Sequence, residues 1–171
     1  MKAYLFLLLL FISKLSLTQQ LQLDSSLNVG FKTGINRLDF FSGVEGVCSM
    51  RRFVFSSSLE TGINRTFFQQ RIFPRFSVGF GYQFCRGRMQ LEPLVMISQS
   101  WLKLSSNKNS DHFWTECYVG YRFTIGTKWR LVNEVMGGWM NERFFVENSG
   151  KNKSFGTVGY YGSLGLARVI R

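Results

Sequence analysis

A nine-residue run from Phe76 to Phe84 alternates bulky apolar side chains with small or polar ones, without interruption. Because a β-strand turns successive side chains to opposite faces, one face of this strand is wide and apolar and the other is nearly bare. A strand of a small membrane barrel has this pattern, with its large groups in hydrocarbon and its small groups in a narrow interior. The apolar face consists of Phe76, Val78, Phe80, Tyr82 and Phe84.

The same two-residue period recurs along the chain and predicts eight strands of about 10 to 13 residues. Each pairs a bulky apolar face with a face of small or polar residues. We place them near residues 27–36, 41–50, 53–64, 76–84, 89–101, 113–123, 129–140 and 155–170.

The connections between these strands alternate in length. Turns of two or three residues follow the second, fourth and sixth strands, whereas the links after the third, fifth and seventh are longer, as at 105–111 and 148–154. Outer-membrane barrels have this asymmetry, with their short turns facing the periplasm. We therefore predict an all-β fold, an eight-stranded antiparallel up-and-down transmembrane β-barrel.

A soluble eight-stranded barrel such as a lipocalin is the structural alternative, but its bulky faces would point inward. The interior of an eight-stranded barrel is only just wide enough for its side chains, so these faces would overfill it. Aromatic residues also sort by height into two girdles, as expected at the two membrane interfaces. The outer girdle consists of Phe76, Trp101, Phe113 and Trp139, and the inner girdle of Phe53, Phe84, Phe123 and Trp129.

Residues 1–18 have the features of a secretory signal peptide, with Lys2 at the start and an apolar run from Ala3 to Ile12. We expect cleavage near Thr18 to release residues 19–171 as one domain. No segment reaches the length of about 20 apolar residues that a transmembrane helix requires. The formal net charge of +11 indicates an anionic partner. A nucleic-acid-binding module or coherent basic face is not visible, so we expect no nucleic acid.

On these alternating segments and connections, the chain resembles the small eight-stranded outer-membrane proteins of Gram-negative bacteria, the OmpX type and the membrane domain of the OmpA type. The resemblance implies a monomer without a cofactor, inserted by the barrel assembly machinery and in contact with outer-membrane lipids. The chain departs from that family at its end, where Val169-Ile170-Arg171 replaces a terminal aromatic residue. Pro93 is a second departure, because a closed barrel has no edge that tolerates a missing N–H. We expect a bulge or a late strand start there.

The inward-facing positions carry five glutamates together with cations. Buried charge is costly unless paired, so we expect a salt-bridge and hydrogen-bond network that fills the lumen. The alternative is that these groups line a proton or ion path. The set is Lys32, Glu45, Glu60, Glu92, Glu116, Arg122, Arg130 and Glu134.

The sole histidine, His112, follows Ser110 by two residues and precedes Glu116 by four. A hydroxyl nucleophile needs a base to remove its proton and an acid to orient that base, so these three residues are candidates for a catalytic set. Small outer-membrane barrels include lipid A acyltransferases and deacylases. The His-x-Ser pattern of the deacylases is absent, however, and a loop histidine is usually solvated, so we expect no enzymatic activity.

The segment Thr33–Arg37 recurs 28 residues later as Thr61–Arg65. Duplication of a hairpin explains this repeat. A sharper hypothesis is that a basic outer rim contacts lipopolysaccharide phosphates. Its possible contacts are Arg37, Arg65, Arg71 and Arg75.

The three cysteines, Cys48, Cys85 and Cys117, show no metal-ligand spacing. A disulfide across the lumen between Cys48 and Cys85 is one alternative, and free thiols are the state we expect.

We therefore predict an integral outer-membrane barrel with a structural or surface-interaction role. Two alternatives remain open. One is a narrow pore for small solutes, and the other is a lipid A-modifying acyl hydrolase or acyltransferase.

Overall fold

The computed structural model describes residues 25–37, 39–62, 73–84, 87–103, 111–146 and 151–170, which form eight strands. The predicted signal peptide lies outside these residues. None of the residues in these ranges belongs to a helix long and apolar enough to span a membrane. The strands are β1 (Ser25–Asn36), β2 (Phe40–Met50), β3 (Phe53–Gly62), β4 (Phe73–Tyr82), β5 (Met89–Lys103), β6 (Asp111–Gly126), β7 (Trp129–Val146) and β8 (Lys151–Ile170).

The strands form one closed barrel in chain order. Each strand pairs antiparallel with the next, and β8 closes the sheet by pairing antiparallel with β1. The prediction of an eight-stranded, antiparallel, up-and-down barrel is confirmed. Short turns at 51–52 and 127–128 join strands at one end, which we call the inner end, and the opposite end is the outer end.

The pairing register sets the dimensions of this barrel. A path through paired residues leaves β7 at Trp139, crosses Val29 in β1 and returns to β7 at Trp129, a stagger of ten residues. With strands about 4.8 Å apart and a rise of about 3.3 Å per residue, eight strands with this stagger tilt by about 40° and lie roughly 8 Å from the axis. Side chains fill an interior of that width.

The barrel is apolar outside and polar inside. Among the described residues, 32 large apolar side chains are exposed, and they include Phe76, Val78 and Phe80 of the β4 segment. The buried positions are mostly Ser, Asn, Gln, Glu, Lys and Arg. A water-soluble barrel has the reverse arrangement, so the two faces of each strand point the way the alternation predicts.

Trp129 and Trp139, two outward aromatic residues of β7, lie at different levels. Trp129 lies beside the inner turn at 127–128 and Trp139 lies ten residues further along the same strand. At a tilt of about 40°, that separation is about 25 Å along the axis, the height of the apolar band of a membrane barrel. The assignment of the eight aromatic residues to membrane girdles remains a prediction.

The interior holds larger groups than a nearly bare face would. Leu94, Met96, Tyr118, Met136 and Tyr161 form a buried cluster within the lumen. Facing glycines make the space for them, since a Cβ added to Gly159 would lie 2.9 Å from the Tyr118 hydroxyl. Glycine therefore alternates with the bulky outward residues partly because a side chain at these positions would collide with the inward tyrosines.

Pro93 lies within β5 and pairs in register with Tyr121, so the expected bulge or late strand start is wrong. The β4–β5 ladder ends at Gly81 and Leu94, but in the same register the Phe84 N–H donates to the Leu91 carbonyl at 3.1 Å on the far side of the proline. Because hydrogen-bonded pairs alternate along an antiparallel ladder, the missing Pro93 N–H faces Tyr82 of β4 and costs one hydrogen bond there without shifting the register. The link predicted at 148–154 is also too long, because β8 begins at Lys151.

The alternative of a disulfide that crosses the lumen from Cys48 is wrong. Its neighbours Val47 and Ser49 are buried inside, so the Cys48 side chain lies on the outward face. Cys48 and the exposed Cys117 are both free thiols. Cys85 lies outside the described residues.

We predict a depth-dependent cost for charge on the outward face. Val135 is 65% exposed near the middle of the apolar band, and Val135→Arg should lower the free energy of unfolding by about 2–4 kcal/mol. Ile170→Arg is the control, because Ile170 lies at the inner edge, where the cost is about 0–1 kcal/mol. Urea titration of the protein folded into lipid vesicles measures both. Equal small effects at the two positions would contradict a lipid-facing surface.

Candidate functional site: the charged lumen

The most unusual chemistry of the barrel lies in its interior, where seven strands place charged side chains at inward positions. Each of these side chains is nearly fully buried, at 7% exposure or less. The two-residue period of each strand accounts for their inward direction, since each of them lies on the same face as the small residues of its strand. The contributors are Lys32, Glu45, Glu60, Arg75, Glu92, Glu116, Arg122 and Glu134.

The cluster closer to the inner end is centred on Arg122. Its Nη2 lies 2.5 Å from Oε1 of both Glu45 and Glu134, and its Nε donates a hydrogen bond to Glu134 at 2.8 Å. A third carboxylate, Glu92, lies 4.0 Å from Nη1. Ser163 of β8 donates a further hydrogen bond to Glu134 at 2.8 Å. One guanidinium therefore ties together four strands.

The cluster closer to the outer end is centred on Arg75. Its two terminal nitrogens lie 2.8 Å from the carboxylates of Glu60 and Glu116, and Nη2 also donates to the Ser98 hydroxyl at 2.9 Å. The guanidinium carbon lies 4.4 Å from the centre of the Tyr161 ring. This arrangement combines charge-assisted hydrogen bonds with a cation–π contact.

Lys32 joins the two clusters into one network. Its Nζ lies 3.4 Å from Glu45, 3.5 Å from Glu134 and 3.1 Å from Glu60, and Glu60 also binds Arg75. Buried charges are tolerated when each is paired and hydrogen-bonded, and most of this network meets that condition along the barrel axis. Arg122 Nη1 and Glu92 Oε2 are paired at 4.0 Å but make no hydrogen bond among the described residues. Among the described residues, five glutamates face Lys32, Arg75, Arg122 and Arg130 in the lumen.

The structure brings together seven of the eight residues predicted for the lumen. Arg130 lies below the network, where its Nη1 donates to the Gln90 side chain at 3.1 Å. The function of the set, whether filling or conduction, remains a prediction.

Arg75 is the lumen residue that the sequence interpretation misplaced. The prediction that Arg75 belongs to a lipopolysaccharide-binding outer rim is wrong, because its side chain is completely buried. The signal was available, since Arg75 shares parity with Ser77, Gly79 and Gly81 once the strand is extended by one residue before Phe76.

The other possible rim contacts have different outcomes. Arg37 is exposed at the outer end of β1 and donates to the Thr157 hydroxyl and to the Val158 carbonyl of β8. Arg65 and Arg71 lie outside the described residues. Contact of this end with lipopolysaccharide therefore stays a prediction that rests on Arg37.

The three catalytic candidates are not seen together among the described residues. Glu116 accepts hydrogen bonds from Asn36 at 2.6 Å and from Arg75 at 2.9 Å, so both its oxygens are engaged in the lumen. His112 pairs through its backbone with Leu102 and Phe144, and Ser110 lies outside the described residues. No group of metal-ligating side chains occurs within the ranges the structure describes.

The space inside the barrel is interrupted at the network. A cavity of about 600 Å³ opens at the inner end, lined by Lys128, Arg130 and Arg168 among others. A separate void above it, beside Glu92 and Arg122, has a volume of only about 10 Å³. The inner mouth is therefore a vestibule that narrows at Arg122.

The fold has solved counterparts. The N-terminal β-barrel domain of Pseudomonas aeruginosa OprF is similar with a TM-score of 0.62 at 9% identity, over 85% of this chain and 97% of that domain. Neisserial surface protein A (TM-score 0.40, 12% identity, 84% and 94% covered) and the Escherichia coli outer membrane protease OmpT (0.42, 8%, 90% and 100%) also match, too weakly to support an argument. The chain thus has the fold of small outer-membrane β-barrels. No family model and no curated protein matches it.

We predict that the buried cations are far more important for stability than the exposed ones. Arg75→Met leaves Glu60 and Glu116 buried without their shared partner and should lower the free energy of unfolding by about 3–5 kcal/mol. Arg143→Met, at an exposed position of the outer end, removes the same charge and should change it little. Urea unfolding of both variants in vesicles tests this. Similar effects would show that Arg75 is solvated rather than paired.

Proposed function

We propose that this protein is an integral barrel of the bacterial outer membrane, exported by a cleaved signal peptide, whose role is structural or surface interaction rather than transport or catalysis. The single observation that carries the proposal is the inverted distribution of polarity, with an apolar surface around a charged interior. Soluble monomers rarely expose a continuous apolar patch larger than a few hundred Å². The 32 exposed apolar side chains described here cover every strand of the barrel.

The proposal that the lumen is closed rests on the network. Lys32, Arg75 and Arg122 bind carboxylates on strands that are not their neighbours in the sheet, at 2.5–3.5 Å; these are Glu134, Glu116 and Glu45. A hydrated ion that passes along the axis would have to separate several of these pairs at once. Each separation leaves a buried charge without its partner, which is strongly unfavourable.

Membrane insertion is tested by gel mobility. We expect the protein refolded in detergent to migrate faster than the boiled protein, because a closed barrel remains compact in detergent until it is heated. The soluble alternative is tested in the same preparation by removal of all amphiphile. A monodisperse monomer in plain buffer would contradict the membrane assignment.

Closure of the lumen is tested by planar-bilayer conductance. We expect no stepwise current from the refolded protein at protein levels where a known porin, as a positive control, gives clear steps. Reproducible unitary steps from the wild type would overturn the closed lumen in favour of the narrow pore. Steps that appear only in Arg122→Ala would show that the network is the barrier.

A further inference from the structure

The inner end of the barrel carries a belt of positive charge that the sequence interpretation did not use. The two-residue turn between β2 and β3 consists of Arg51 and Arg52, Arg88 immediately precedes β5, and Lys128 immediately precedes β7. Arg168, near the inner end of β8, completes the belt. All five side chains are exposed, and we call this set the basic inner rim.

The basic inner rim directly borders the apolar surface. Arg51, Arg88 and Lys128 lie one residue from the outward-facing Met50, Met89 and Trp129. Arg168 itself occupies an outward position of β8, where its guanidinium carbon lies 5.8 Å from the centre of the Trp129 ring. A cation over an indole at the edge of an apolar band lies at the level of lipid head groups.

The charge is of one sign. No acidic residue occurs among the described residues that flank the inner turns, at 49–54, 87–90 and 124–131. The described outer end differs, because Asp39 and Glu142 accompany the exposed Arg37, Arg143 and Lys153 there. Among the described residues, the excess of one sign therefore belongs to the inner end.

Arg51 adds a local observation. Its φ is 55°, in the left-handed region that favours glycine or asparagine.

We propose that the basic inner rim binds the phosphate groups of anionic phospholipids in the leaflet that surrounds the inner end. The proposal rests on the membrane assignment above. Arginine and lysine donate charge-assisted hydrogen bonds to phosphate, and like-signed side chains at head-group height concentrate anionic lipid around the barrel. Lys128 and Arg168 also line the vestibule, but the occupant is a lipid rather than a soluble anion because Arg168 lies over the outward Trp129 ring and Arg51 and Arg88 adjoin outward apolar residues.

The test compares spin-labelled lipids at the protein boundary. The protein is refolded into phosphatidylcholine vesicles that contain a small fraction of spin-labelled phosphatidylglycerol or spin-labelled phosphatidylcholine, and electron paramagnetic resonance gives the relative association constant. The inner variant is R51Q/R88Q/K128Q/R168Q, which leaves Arg52 in place because it donates to the Tyr82 hydroxyl at 3.2 Å. The control variant, K103Q/R143Q/K151Q/K153Q, removes the same charge from the outer strand ends.

We expect the wild type and the control variant to prefer phosphatidylglycerol roughly threefold, and the inner variant to show a ratio near one. Salt at about 0.5 M should reduce the wild-type preference, since exposed charges are screened. An equal preference in all three proteins, or none in the wild type, overturns the proposal. Binding of an acidic peptidoglycan fragment through the rim, without any lipid preference, overturns it in favour of a soluble partner.

The heat-dependent gel shift in pure phosphatidylcholine vesicles is scored first for each protein. It reports insertion independently of lipid charge, so a folded barrel without a lipid preference overturns only the rim proposal. A chain that does not insert into vesicles with or without phosphatidylglycerol overturns the membrane assignment and the rim proposal together.

Discussion

The structure depends on the pairing of three buried cations with carboxylates from other strands. Lys32, Arg75 and Arg122 contact Glu45, Glu60, Glu116 and Glu134 across a lumen whose backbone lies roughly 8 Å from the axis. A slip of one residue in any strand would turn its charge toward the outside and an apolar group inward. The pairs therefore specify register as well as filling space, and the hydrocarbon-facing surface follows from the same alternation.

The network accounts for a narrow barrel and supports the proposal that its lumen is closed rather than hollow. With a stagger of ten residues, the interior accepts long side chains that meet at the axis, and the glycines supply the remaining clearance for Tyr118 and Tyr161. The vestibule at the inner end is the part of the lumen where this filling stops. The basic inner rim surrounds the barrel at this end, so the lining of the inner mouth and the surrounding surface are both positively charged.

Much of the fold was predictable from the sequence, because alternation with a period of two residues shows directly on which face of the strand each side chain lies. Phe31 and Lys32 lie outside and inside as their parity requires, and the connection lengths placed the hairpins in order. The prediction for Arg75 was wrong because strand ends lack alternation on one side, so a cation one residue before a clear pattern was assigned to the outer rim. Pro93 was misjudged for a different reason, since the loss of one hydrogen bond to β4 does not shift the strand when the pairing with β6 and the bond between Phe84 and Leu91 are kept. Those pairings belong to the neighbouring strands and are not visible in one strand.

The central claim is that lipid surrounds the outward positions and that the adjacent inward positions are shielded from it. The most direct measurement is a nitroxide scan along β7 from Leu131 to Met140, in a background with the three cysteines replaced by serine, that compares collision with oxygen and with a water-soluble nickel complex. Our account predicts high oxygen accessibility at odd-numbered positions such as Val135 and low accessibility at even-numbered positions such as Glu134 and Met136. If the nickel complex reached Val135 as readily as it reaches a turn residue such as Thr127, water would surround this face and the account would be wrong.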